Sequence, residues 1–112
     1  GFPYDRAEKA GFYCGFFSEF MKLSHDVRRM GSASLDLCWL AAGRTDGYWE
    51  FGLKPWDVAA GGLIAEEAGG RVTDFSGRPW AVDAAMGSQT LAANGRLHAP
   101  MLRLIKKRLG KR

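Results

Sequence analysis

At 112 residues and 12.3 kDa the chain has the length of one domain, which excludes a second full one. With 46% hydrophobic and 25% charged residues, it has the composition of a globular domain and not of a disordered segment. The formal charge of +4 is unevenly placed: seven Lys and Arg residues follow the last acidic residue, Asp83, so residues 1–83 hold nine basic against twelve acidic side chains. Basicity therefore belongs to the tail, where Lys106-Lys107-Arg108 reads first as a solvated helix end and second as a nucleic-acid or membrane-surface contact. The most apolar run, Leu37 to Ala42, is far shorter than the roughly 18 residues of a membrane span, so no membrane partner is expected.

Asp5, Arg6, Glu8 and Lys9 interrupt any signal-peptide pattern near the start. The first methionine is Met21, and a segment upstream of Gly1 is expected. Cys14 and Cys38 fit neither a disulfide framework nor a metal pair, which points to a reducing, cytoplasmic setting.

In chain order, Phe12, Phe16, Phe17 and Phe20 recur at three- and four-residue steps and predict a helix between Arg6 and Leu23. Its Phe-rich stripe is expected to bury itself against an absent half of the molecule or against a second subunit. Val27 to Met30 reads as a strand. Gly31-Ser32-Ala33 opens a helix to about Ala42, with Ser32 as its cap and Gly43 closing it. Tyr48 to Phe51 is aromatic and strand-like. Pro55 and Asp57 start the next helix, which runs through Ala68 and stops at Gly69-Gly70. Arg71 to Phe75 predicts a strand, Ser76-Gly77-Arg78-Pro79 a turn, and Thr90 to Ala93 a short strand. A last helix from about Arg96 to Leu109 places Leu97, Met101, Leu104, Ile105 and Leu109 on one face. Alternating helices and strands predict an α/β layer with a largely parallel or mixed sheet flanked by helices.

The chain lacks a GxxxxGK[ST] loop, GxGxxG, HExxH and GxSxG. His25 and His98 sit in polar or terminal surroundings without evident partners. The densest unusual stretch is Tyr48 to Gly61, in which Glu50 near a strand end and Asp57 at a helix start are placed to face one crevice. Asp57 has a second reading as a helix cap that satisfies exposed backbone N–H groups. Gly31, Ser32 and Ala33 form a small-residue helix start that lets a ligand approach the backbone, or that serves packing alone.

Trp56-Asp57-Val58-Ala59-Ala60-Gly61, followed by Ile64, Glu67-Ala68-Gly69-Gly70 and Val72-Thr73-Asp74, resembles the carboxyl-terminal signature of the inositol monophosphatase family. Gly1-Phe2-Pro3-Tyr4, Arg29 to Cys38 and Leu91-Ala92-Ala93-Asn94 resemble family segments in family order. The resemblance implies that residues 1–112 are the carboxyl-terminal layer of a sugar-phosphatase-type fold, with the amino-terminal metal-binding half absent. It implies magnesium-dependent hydrolysis of inositol monophosphate or a related sugar phosphate, with fructose bisphosphate, histidinol phosphate or a nucleotide phosphate as the alternative substrate, and a homodimer in the intact protein. By position, Asp57 resembles the family's late metal ligand, which also borders the substrate, and Glu50 the carboxylate that binds the inositol hydroxyls. Gly31, Ser32 and Ala33 resemble the helix start beside the sugar. The family's Asp-Pro-Ile-Asp-Gly-Thr ligand segment does not occur here, so the isolated chain is expected to be inactive. The alternative is a non-catalytic interaction module whose basic tail binds nucleic acid or protein.

Overall fold

Two sets of side chains alternate along the strands, and this alternation organises the molecule into layers. The computed structural model describes residues 4–28 and 30–110. Gly1, Phe2 and Pro3 of the first family-like segment, Arg29 of the second, and Lys111 and Arg112 of the tail lie outside them. A 3-10 turn at Tyr4–Ala7 precedes α1 (Ala10–Leu23), α2 (Ala33–Ala41), β1 (Gly47–Phe51), α3 (Pro55–Glu67), β2 (Arg71–Thr73), β3 (Gln89–Ala93) and α4 (His98–Leu109). The strand order is β1-β3-β2, with Trp49 opposite Leu91 and Thr73 opposite Leu91 on the other side.

Both pairings are antiparallel. β1 and β2 therefore run in the same direction, as expected for strands joined through a helix, but β3 occupies the place between them and no parallel pair forms among the described residues. The α/β class with flanking helices stands; the ladder within it is antiparallel.

Successive side chains of a strand point to opposite faces. Trp49, Phe51 and Leu91 join Phe16, Phe20, Phe75 and Ile105 on the face covered by α1 and α4. Tyr48, Val72 and Ala92 join Leu37, Leu40, Val58 and Ala65 on the face covered by α2 and α3. The Phe stripe of α1 thus finds its partners within the chain: Phe20 stacks on Trp49 at 5.2 Å and Phe16 meets Phe51 edge-on at 5.0 Å. The expectation that this stripe waits for another half or subunit is corrected.

Three local expectations also change. Val27, Arg28 and Met30 form no strand, because the Asp26 carboxylate takes the Val27 N–H at 2.8 Å, a donor that a ladder would need. The strand expected over Arg71 to Phe75 ends at Thr73, where Asp74 begins a tight turn by accepting from the Ser76 and Arg78 N–H groups at 2.8 and 3.0 Å. The last helix starts at His98 and not Arg96, since Asn94 Oδ1 accepts from the Arg96 and Leu97 N–H groups. That shift leaves Leu97 exposed and buries His98 instead.

Candidate active site

α2 and α3 lie side by side with their N-termini at the same end. Ser34 Oγ donates to the Asp57 carbonyl across the pair at 3.4 Å. Close approach needs the small residues of α3: a Cβ on Gly61 would stand 2.9 Å from Leu37 Cβ.

The candidate residues collect at this end. Ser32 caps α2, its Oγ accepting from the Leu35 N–H at 3.4 Å, and Ala33 is the first helical residue. Gly31 precedes them at φ +85, exposed, with open space where a side chain would stand. That left-handed backbone favours glycine and keeps the approach to the helix start unobstructed. Glu50 projects from β1 toward the same layer and is 7% exposed. Asp57, half-buried in the first turn of α3, accepts from the Lys54 N–H through Oδ2 at 2.9 Å. The cap reading of Asp57 is therefore realised, through one of its two oxygens.

Sequence reasoning missed two members of the cluster. The Tyr48 hydroxyl donates to Glu50 Oε1, as the two-residue step along β1 permits. Burial raises the Tyr48 phenol far above its ordinary pKa, and the charges of Glu50, Asp36 and Asp57 raise it further. Asp36, in the first turn of α2, is 8% exposed, and burial together with the neighbouring Glu50 pushes its carboxyl up. Asp36 reads in sequence as an ordinary acidic residue of a first helical turn. Only the register of β1 against α2 brings it to Glu50.

The arrangement offers hydroxyl-accepting carboxylates beside two helix N-termini, a combination suited to a polyol ligand. It does not make a self-contained cation site: among the described residues, no group of three or more His, Cys, Asp and Glu side chains is placed to hold a metal ion. A cavity of about 200 Å³ lies at the other end of α2 and α3, lined by Ala41, Asp46, Ala68 and Asn94, away from these carboxylates. No helix among the described residues is long and apolar enough to cross a membrane.

The sequence profile of the inositol monophosphatase family matches residues 5–109. A putative Nus factor SuhB of Neisseria meningitidis is 45% identical over 105 residues, which cover 94% of this chain and 39% of that protein. The chloroplastic phosphatase IMPL1 of Arabidopsis thaliana is 43% identical over 105 residues, covering 94% of this chain and 28% of that protein. The solved inositol monophosphatase of Anabaena superposes with a TM-score of 0.84 at 44% identity, covering 96% of this chain and 41% of that one. The chain thus spans about two-fifths, or less, of the length of these relatives.

Proposed function

The chain belongs to the inositol monophosphatase family, and from that premise we propose that it supplies the sugar-facing side of a cytoplasmic phosphatase acting on inositol monophosphate or a related sugar phosphate. The observation that carries this reading is the gathering of Glu50, Tyr48, Asp36 and Asp57 beside the N-termini of α2 and α3. Glu50, aimed by the Tyr48 hydroxyl, accepts hydrogen bonds from ring hydroxyls. Gly31, Ser32 and Ala33 border the sugar, where a larger side chain would obstruct it.

The donor set fits one ligand of a shared magnesium site. Magnesium takes oxygen ligands and commonly one or two carboxylates with waters and substrate phosphate. Asp57 has one oxygen on the Lys54 N–H and the other clear of that bond, so it can cap α3 and ligate together. The remaining protein ligands would come from a segment outside these 112 residues, in a polypeptide of the relatives' length that also forms the homodimer. The chemistry such an ion supplies is neutralisation of phosphate charge and activation of water.

Asp57→Asn separates the two roles, because an amide oxygen still accepts from Lys54 while the ligating charge is lost. In a polypeptide of the relatives' full length, magnesium-dependent hydrolysis of inositol monophosphate should fall by roughly tenfold to a hundredfold or more. Thermal stability should stay near wild type, whereas Asp57→Ala should also lose about 1 kcal/mol of capping. Unchanged magnesium-dependent turnover in Asp57→Asn would remove Asp57 from the metal site.

A second reading, the interaction module, is favoured by the name of the Neisseria relative and by the basic last turn of α4, Lys106 to Arg108. The same variant separates them: binding of a nucleic acid or protein through the tail would survive Asp57→Asn unchanged.

A further inference from the structure

We propose that His98 is an acid-labile latch that holds the start of α4 on β2 only while its imidazole is neutral. The inference rests on a chain of hydrogen bonds and does not depend on the phosphatase reading. His98 is 1% exposed, and its Nε2 lies 2.7 Å from Thr73 Oγ1. A threonine hydroxyl has one hydrogen, and Thr73 gives its hydrogen to the Asp74 carbonyl at 2.8 Å. Toward His98 the hydroxyl can therefore only accept, so the imidazole carries its proton on Nε2. Nδ1 is then a bare acceptor, buried and without a hydrogen-bond partner among the described residues.

This arrangement tolerates one protonation state. A second proton on Nδ1 would create a buried cation whose new N–H has no acceptor, which costs more than the bare lone pair. The charges around the ring do not offset that cost. Arg71 of β2 acts on it unfavourably, and β3 bears no charged residue. The Asp74 carboxylate of the following turn is engaged by Ser76 and Arg78, and Glu19 and Lys22 of α1 pair with each other at 3.6 Å. Burial, with Arg71 adding to it, holds the His98 pKa below 6.5.

The sign follows from linkage. The unfolded chain binds a proton at His98 that the folded chain refuses, so the contribution to stability is complete above about pH 6.5 and is lost as pH falls from there toward the folded value.

The test is nitrogen-15 NMR of the two histidines, with pH-dependent unfolding of wild type and His98→Gln. Glutamine retains a donor for Thr73 and cannot titrate. At pH 7 the spectrum should show Nε2 protonated and Nδ1 bare at His98, and His98 should stay neutral at a pH where the same histidine in the unfolded chain is already protonated. Between pH 6.5 and 5 the unfolding equilibrium constant of wild type should rise relative to His98→Gln, by up to about tenfold per pH unit. A proton on Nδ1 at pH 7, titration of His98 in the folded protein at the value of the unfolded chain, or equal pH dependence in the two proteins would overturn the latch. Should His98→Gln fail to fold, the wild-type titration decides the matter alone.

Discussion

The two faces of the sheet are built on different principles. On the α1 and α4 side, Phe12, Phe16, Phe20, Trp49, Phe51 and Phe75 interlock, with Phe51 meeting Phe75 at 4.9 Å, and the chain closes this core with its own side chains. On the α2 and α3 side the apolar residues are smaller, and Tyr48, Glu50 and Asp36 are set among them. The helices on that side are also apolar away from the sheet, exposing Leu35, Trp56, Leu63 and Ile64. Large rings dominate the first face, with the Thr73–His98 hydrogen bond buried beside them. On the other face, helices built of small residues let carboxylates come close. A helix apolar all round is characteristic of an element with neighbours on both sides, in keeping with a chain that spans about two-fifths of its relatives.

The sharpest way to break this contrast is Phe16→Ala. Phe16 is 1% exposed and touches Phe12, Trp49 and Phe51. Removing the ring should cost about 3–5 kcal/mol, the range for a buried Phe with its cavity left unfilled. Urea unfolding reads the loss directly, and a change below about 1 kcal/mol would mean that the aromatic face is not the stabilising one.

A smaller effect is expected at the polar centre of the other face. Tyr48→Phe keeps the ring in its packing but withdraws a hydrogen bond from buried Glu50. The expected cost is about 1–3 kcal/mol, the penalty for weakening the solvation of a buried charged group. It should shrink when Glu50 is replaced by Gln in the same background, because the group that needs the bond is then neutral. A double-mutant cycle measures that coupling, and additivity would show that the hydroxyl does not serve Glu50.

The parts legible in the sequence were those carried by periodicity and by punctuation. The three- and four-residue steps among Phe12, Phe16, Phe17 and Phe20 gave α1. Ser32 gave a cap that its Oγ does supply, and Gly69-Gly70 gave the end of α3. Their places at a strand end and a helix start brought out Glu50 and Asp57, and the family pattern suggested their roles. Illegible parts depended on contacts between segments distant in sequence. Asp36 and Glu50 are fourteen residues apart, and nothing local shows that β1 presents one to the other. His98 was misplaced for a different reason: the Asn94 turn delays the start of α4 from Arg96 to His98, and His98 takes the buried place expected for Leu97. The stripe on α1 was read correctly as apolar and wrongly as unpartnered, because periodicity identifies a buried face without saying what buries it.

The finest test of the contrast is on the outer side of α3. Trp56 is 78% exposed and in the first turn, with Leu63 two turns further on and also exposed. In this chain Trp56→Ala removes a large ring that contributes little packing, while alanine is the better helix former. The net change in unfolding free energy should stay within about 0.5 kcal/mol, as for surface positions generally. The same substitution should also reduce any self-association of the isolated chain, since it removes the most exposed aromatic side chain of that face. Dilute and concentrated samples separate the two effects. A loss of 2 kcal/mol or more that grows with protein concentration would mean that Trp56 is covered by another copy in solution, and the open face would then be an interface of the chain with itself.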